Sequence, residues 1–353
     1  MAKLRVAIVG AGLIAPKKHI PAFLRQKDQA QIVAICDLNR DAAQQVANRF
    51  GIPGVYTNVA EMLLQEKPDL VDICTPPQTH KNLAVEAMRA GAHILIEKPM
   101  ALSVSDCDQI VNASKELKRE VCVAHSQLFY YPIMEAKRLV EQGAIGEFRG
   151  MRILTATPAD YMISKENHWA HKLPGGVIGE TGPHVVYMTL AFINPIRQVS
   201  VDALKIQDYP WARYDDYRIN LIGDRAISSI TVSYTADQWS SRIDLFGSEG
   251  TLRLDLLTYL VKIRRTSLKP LPVALSMLSE SVQIVKNFVS LGWKVATGNY
   301  RSTQDIIIER FVASIRNGTR PPVSAEEGRE AVRVLSMIVE ELESKKGAGV
   351  TQG

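Results

Sequence analysis

Leu4-Arg5-Val6-Ala7-Ile8-Val9-Gly10-Ala11-Gly12-Leu13-Ile14-Ala15 decides the reading of this chain. Its first six residues are a short apolar run of the kind that forms a strand buried on both faces. The next six have the spacing G-x-G-x-x-A. Gly10 permits a tight turn, Gly12 lets backbone approach a pyrophosphate, and Ala15 is small enough for close helix–strand packing. The helix that opens here, with Leu13 and Ile14 in the turn, turns partial positive charge toward phosphates. Lys3 and Arg5 ahead of an apolar stretch also resemble a short signal peptide. No strong cleavage site follows, and the glycine spacing favours strand plus turn.

Outward from this turn, apolar runs recur at Gln31–Cys36, Leu70–Cys74, His93–Ile96 and Val121–Val123. Segments with helical periodicity lie between them, among them Asp41–Phe50, Asn82–Ala90 and Ser105–Leu117. Strands alternating with helices build a parallel sheet covered on both faces, so residues 1–125 read as an α/β Rossmann domain. Asp37 stands 22 residues beyond Ala15, at the end of the second strand. A carboxylate there bonds both ribose hydroxyls and repels a 2′-phosphate, which favours NAD over NADP, while Arg40 is the residue that would accept that phosphate instead. Thr75-Pro76-Pro77-Gln78-Thr79-His80 follows the fourth strand at the carboxyl end of the sheet, where ligands bind in such folds. Thr75 and Pro76 are placed at the nicotinamide end of the cofactor, and His80 reads either as a contact or as a helix-start residue. Glu97-Lys98-Pro99 follows the fifth strand and opens into the same crevice. From position alone Lys98 is an exposed loop lysine; near a nicotinamide, desolvation would lower its pKa and let it exchange a proton with a substrate hydroxyl.

Beyond Gln127 the rhythm changes. Helical segments are expected at Pro132–Gln142 and His184–Ile193, the second after a glycine-rich turn. Strand-like stretches follow one another at Phe148–Thr157, Val199–Gln207, Tyr217–Leu221, Ala226–Tyr234, Ser241–Phe246 and Tyr259–Arg264, and the chain closes on helices Asp305–Arg316 and Ala325–Leu342. Strands joined by turns imply an α+β domain over residues 126–353 with a large open, mainly antiparallel sheet. A length of 353 residues suits two cores, and 46% hydrophobic with 22% charged residues is a globular profile. A net charge of +5 gives no case for nucleic acid. Cys36, Cys74, Cys107 and Cys122 form no C-x-x-C pair and have no zinc-ligand spacing, so no metal is expected. They read as buried thiols in a reducing, cytoplasmic setting. No apolar window reaches the length of a membrane span.

Gly10–Ala15, Glu97-Lys98-Pro99, Gly143-x-x-Gly146, Gly175-Gly176 with His184, and Gly247-x-x-Gly250-Thr251 occur in this order over nearly the whole chain. The ordered set resembles the glucose–fructose oxidoreductase / inositol dehydrogenase (Gfo/Idh/MocA) family. The resemblance implies NAD(P)-dependent hydride transfer between nicotinamide and a secondary alcohol or ketone of a sugar, cyclitol or nucleotide-linked sugar. It also implies homodimers or homotetramers built on the open sheet. It makes Lys98 the active-site lysine, which orients the substrate, and His184 the histidine that takes the hydroxyl proton. Glu180 stands where many relatives carry Asp four residues before this histidine, and it would orient the proton relay. Tyr187 replaces an Asp often found three residues after it, and Phe129 stands where Arg is common. Gln127 and Trp169 are assigned to the substrate; the stretch Asn167–Lys172 offers hydrogen bonding and an apolar face for sugar stacking. Two other functions stay open: transient-redox NAD-dependent glycoside cleavage or epimerisation, and non-catalytic nicotinamide sensing.

One segment exceeds what the family pattern requires, from Thr266 to Arg301. Leu275, Leu278, Val282, Val285, Val289 and Trp293 fall on one helical stripe, widened by Met277, Ile284, Phe288 and Leu291. Ser276, Ser279, Lys286, Asn287 and Ser290 lie opposite. Residues 258–301 hold seven Lys and Arg against one acid, Glu280. The segment reads as a helix packed on its own domain or on a subunit neighbour, or as a basic amphipathic element touching an anionic membrane surface or a diphosphate-linked substrate.

Overall fold

The computed structural model describes residues 2–265 and 269–345, the side chain of Ser276 aside. The chain divides into two compact units, Met1–Phe129 with Arg301–Arg333, and Tyr130–Tyr300 with Val334–Gly353.

In the first unit β1 (Leu4–Val9), β2 (Ala30–Cys36), β3 (Gly54–Tyr56), β4 (Leu70–Ile73), β5 (His93–Ile96) and β6 (Val121–Val123) form a six-stranded sheet in the order β3-β2-β1-β4-β5-β6. All its pairings are parallel. The order reverses between β1 and β4, which makes their carboxyl ends the switch point at which doubly wound sheets bind ligands. Val6, Ala7 and Ile8 are wholly buried there. The connecting helices are α1 (Ile20–Arg25), α2 (Arg40–Phe50), α3 (Val59–Glu66), α4 (His80–Arg89) and α5 (Val104–Leu117). Asn39, Asn58 and Ser103 cap α2, α3 and α5 through side-chain oxygens that accept backbone N–H groups. β3 is only three residues long and carries no apolar run that the sequence could reveal. The unit also takes up α9 (Thr303–Asn317) and the first turns of α10 (Ala325–Ser344). Val123 N–H donates to the Val323 carbonyl at 3.1 Å. Gly328 lies so close that a Cβ there would stand 2.5 Å from a Val123 methyl. Ser324 caps α10 reciprocally with Glu327, as its spacing predicts.

The second unit contains α6 (Tyr131–Glu141), α7 (Ile178–Leu190), α8 (Pro270–Ala296) and a seven-stranded sheet. Its strands are β7 (Phe148–Pro158), β8 (Ile196–Leu204), β9 (Asp216–Gly223), β10 (Ile227–Ala236), β11 (Ser240–Gly247), β12 (Thr251–Asp255) and β13 (Leu260–Arg264). They run in the order β13-β12-β11-β7-β10-β9-β8, with only β7 and β10 parallel. The glycine pairs of the resemblance prove to be one packed corner. Glu147 N–H donates to Ser248 Oγ, and Ser248 and Glu249 N–H return bonds to the carbonyls of Glu147 and Ile145, all at 2.9 Å.

α7 corrects the expected helix. It begins at Ile178 rather than His184, so His184 sits mid-helix. Gly179, Gly182 and Pro183 are poor helix formers and hid its first half. Packing demands the glycines, since a Cβ at Gly179 would meet the Pro174 carbonyl at 2.6 Å and one at Gly182 a Leu335 methyl at 2.7 Å. Among the described residues, no helix is long and apolar enough to cross a membrane.

Candidate active site

In the first unit the glycine turn closes over the carboxyl ends of β1, β2 and β4. Gly10 has φ +104°, and its N–H donates to the Cys36 carbonyl at 2.8 Å. A Cβ at Gly10 would lie 2.8 Å from the Cys74 carbonyl, so only glycine fits. Gly12 differs, because a Cβ there would meet nothing within 4 Å. The turn thus presents open space and bare backbone where a pyrophosphate would lie, a geometry that suits a dinucleotide. Ala15 is fully buried, while Leu13 is exposed. Ala15–His19 then winds as a π-helical turn before α1, with Pro16 unable to donate a backbone bond.

Asp37 ties this turn to β2. One carboxylate oxygen accepts from Ala11 N–H at 2.7 Å and the other from Asn39 N–H at 2.8 Å. Each oxygen keeps acceptor capacity for a ribose hydroxyl. Arg40 opens α2 and is exposed beside it. Leu38, between Asp37 and Arg40 on the turn, is 94% exposed, an apolar surface that periodicity does not single out.

On the β4 side, Thr75 Oγ1 and Thr79 Oγ1 are 2.7 Å apart, and Thr79 donates onward to the Pro76 carbonyl. His80 is buried and lies between two carbonyls, Pro99 at 3.0 Å from Nδ1 and Thr75 at 2.8 Å from Nε2. Burial lowers its pKa. His80 therefore straps the Thr75 loop to the Lys98-Pro99 turn, and any effect on a ligand passes through those loops. Gln127 lies half-buried in the 3₁₀ turn Ser126–Phe129. Phe129 is buried, and the Arg310 guanidinium of α9 lies over its ring, 5.3 Å from the centroid.

The residue that sequence reading missed is His19. It is fully buried, with Nδ1 2.9–3.0 Å from both oxygens of Asp72 and Nε2 2.9 Å from Glu97 Oε1. Glu97 Oε2 accepts the Lys98 N–H at 3.0 Å. Burial acts to lower the pKa of His19, but the charge of Asp72 and its neighbours raises it well above the usual value. Burial likewise works against the Glu97 carboxylate, yet His19 and Lys98 hold its pKa below the usual range. An imidazolium between two carboxylates satisfies both ring nitrogens as donors. Only the lone histidine four residues past Ala15 could have signalled this. Cys74 Sγ adds a 3.5 Å contact, and burial pushes its thiol up to about 12. His19, Asp72 and Cys74 are grouped closely enough for a metal, but their separations are those of a hydrogen-bonded cluster. All four cysteines are buried and unpaired in disulfides.

In the second unit, Gly175 and Gly176 both have positive φ and deliver the chain into α7. His184 is half-buried, and its Nδ1 lies 2.6 Å from the hydroxyl of Tyr187, which is itself 2% exposed. Tyr187 thus partners His184 from the position at which the resemblance implies an Asp. Glu180, one turn earlier, accepts from Thr181 Oγ1 at 3.2 Å and acts electrostatically on His168. Trp169, 52% exposed, lies with its ring 5.7 Å from His168.

Comparison with known proteins matches residues 4–125 to the GFO_IDH_MocA model, an oxidoreductase family with an NAD-binding Rossmann fold, and residues 133–253 to the GFO/IDH/MocA C-terminal domain. The chain belongs to the Gfo/Idh/MocA family. A D-apiose dehydrogenase of Paraburkholderia graminis is 25% identical over 95% of this chain and 86% of its own length. A myo-inositol 2-dehydrogenase of Thermotoga maritima is 22% identical over 97% of each. A D-glucoside 3-dehydrogenase of Escherichia coli is 31% identical, but over only 41% of each chain. Among solved structures, the WlbA dehydrogenase of Bordetella pertussis in complex with NADH and UDP-GlcNAcA shares the fold at TM-score 0.80 and 21% identity, covering 97% of this chain and 96% of that one. Within the Gfo/Idh/MocA fold the first unit is the NAD-binding half, and the glycine turn, Asp37 and Lys98 belong to it.

Proposed function

We propose that this chain oxidises, or in reverse reduces, a secondary-alcohol carbon of a sugar, cyclitol or nucleotide-linked sugar. The observation that carries the reading is the half-buried His184 tied by Nδ1 to the buried Tyr187 hydroxyl at 2.6 Å, a base held in one orientation. The substrates named for the apiose and inositol relatives support the chemical class. NAD, when bound, supplies the hydride acceptor. Gly10, Gly12 and the backbone around Leu13 and Ile14 hold its pyrophosphate, Asp37 its ribose, and Thr75 and Pro76 line the nicotinamide end. With Nδ1–H donated to the Tyr187 oxygen, His184 carries its lone pair on Nε2 and takes the substrate hydroxyl proton there. Lys98, its backbone N–H held by Glu97, orients the substrate, the role that the family resemblance gives it. Trp169 and Gln127 serve substrate binding, and Glu180 orients the histidine's surroundings. The open sheet of the second unit is the surface for a homodimer or homotetramer.

The test is a panel of sugars, cyclitols and nucleotide sugars with NAD, followed by nicotinamide absorbance and by product analysis. Net NADH with a ketone product is the expected result. Product without net NADH would replace this reading by transient redox, and cofactor binding without any product would replace it by sensing.

A further inference from the structure

α8 is mounted with its polar side inward. Glu280, Gln283 and Asn287, spaced three and four residues apart, are partly covered, and the other described side chains of the helix are exposed. Glu280 bonds Arg264 at 2.8 Å and pairs with Lys262 at 3.3 Å, and Asn287 Nδ2 donates to the carbonyls of Thr258 and Tyr259 at 3.3 and 2.9 Å. The opposite stripe, Leu271, Leu275, Leu278, Val282, Val285, Val289 and Trp293, is exposed along its whole length. Phe288, 76% exposed, and Met277 widen it on one flank. This is the reverse of a helix packed on its own domain, which buries its apolar stripe.

Charge complementarity selects the occupant. Arg264, Arg265, Lys269, Lys286 and Lys294 are exposed along or beside the helix, and the single acid of the segment is already engaged by Lys262 and Arg264. Lys286 lies on the margin of the stripe, four residues after Val282 and three before Val289. A second copy docking face to face would bring this basic set against itself. Of the positions flanking the stripe, Ser279, Ser281, Lys286 and Phe288, only Lys286 is charged and none is acidic, so they lack the paired charges of a coiled-coil seam. An outward apolar stripe carrying Trp and flanked by Phe288, bordered by Lys286 and with Arg265, Lys269 and Lys294 exposed on the same segment, matches an anionic lipid surface. We infer that α8 is a peripheral membrane-docking helix, lying in the headgroup region of an anionic bilayer and held to its own domain by Glu280 and Asn287.

The full chain is sedimented with vesicles of phosphatidylglycerol and phosphatidylcholine, or of phosphatidylcholine alone, and its mass is measured without lipid. The chain should partition onto the anionic vesicles and leave them as salt rises. Replacing Val282, Val285, Val289 and Trp293 with Ser should weaken binding at least about tenfold with unchanged NAD affinity, because these side chains are more than half exposed and belong to the second unit, not to the nucleotide-binding one. Lys286→Glu with Lys294→Glu should weaken it about fivefold per residue at low salt. Failure of the wild type to bind anionic vesicles, or equal binding by the serine variant, overturns the inference. A wild-type mass that falls in the serine variant, without vesicle binding, assigns the stripe to a second copy and overturns it as well.

Discussion

Asp37 accepts two backbone hydrogen bonds, which makes it a strut of the glycine turn, and we propose it as the cofactor discriminator as well. Asp37→Ala should narrow or reverse the preference for NAD over NADP, read from parallel titrations of both cofactors; equal affinities in the wild type would move the deciding role to Arg40. Lys98→Met and His184→Ala should each keep NAD affinity and lose kcat by about a hundredfold or more. Tyr187→Phe should cost about tenfold, the worth of one orienting hydrogen bond, and Glu180→Ala less than either primary variant. Full kcat in His184→Ala would remove it from proton transfer. His19 makes a different prediction. Its pKa is raised, so the stability it contributes is complete below about 6.5, the ordinary histidine value, and is lost as pH rises through the higher folded value. Glu97, lowered, contributes above about 4.5 and loses that contribution in acid. The stability gap between wild type and His19→Gln should therefore be widest between these limits and close toward alkaline pH. Denaturant midpoints across pH measure it, and a gap that persists at high pH would show that His19 acts as a neutral packing residue.

Among elements, the glycine turn separates two roles that the motif merges. Gly10→Ala puts a methyl against the Cys74 carbonyl on a left-handed backbone and should destabilise the fold by about 1–3 kcal/mol. Gly12→Val enters open space, so thermal stability should hold while the NAD Kd rises about tenfold or more. If both variants lose only stability, the turn is not the pyrophosphate cradle. This element was legible because its constraint is local: strand, turn and acidic residue follow one another within 34 residues, Leu4 to Asp37. α7 was half legible, because its glycines answer to Leu335, Leu173 and Pro174 rather than to helix propensity. The stripe on α8 was legible as a pattern but not in direction; periodicity names the apolar face without saying whether the protein lies under it. β3 has only Val55 between Gly54 and Tyr56, and β12 sets only Leu252 and Leu254 between polar residues, so neither carries an apolar run that stands out.

At the scale of the whole molecule, the two separate sheets and the change of rhythm after Gln127 could be read from strand spacing. The path of the closing helices could not, because nothing in α9 says which core its apolar stripe will join. The answer is the Rossmann unit: Ile307, Ile308, Phe311 and Val312 are buried, and the buried Asp305 pairs with Arg25 at 2.5 Å. Arg329 reaches Asp108 at 2.9 Å, and the Val323 carbonyl receives the Val123 N–H. The strands β1 to β6 therefore belong to a core whose remaining pieces are made only after the segment Tyr130–Tyr300. Until residues 301–333 emerge, β6 lacks its cover and Arg25 its partner, and the open segment is an invitation to chaperones rather than a finished nucleotide site. Synthesis and folding are thus interleaved: the unit begun earlier waits while the 171 residues Tyr130–Tyr300 are made, is completed by Arg301–Arg333, and the second unit then waits in its turn for the residues from Val334 onward.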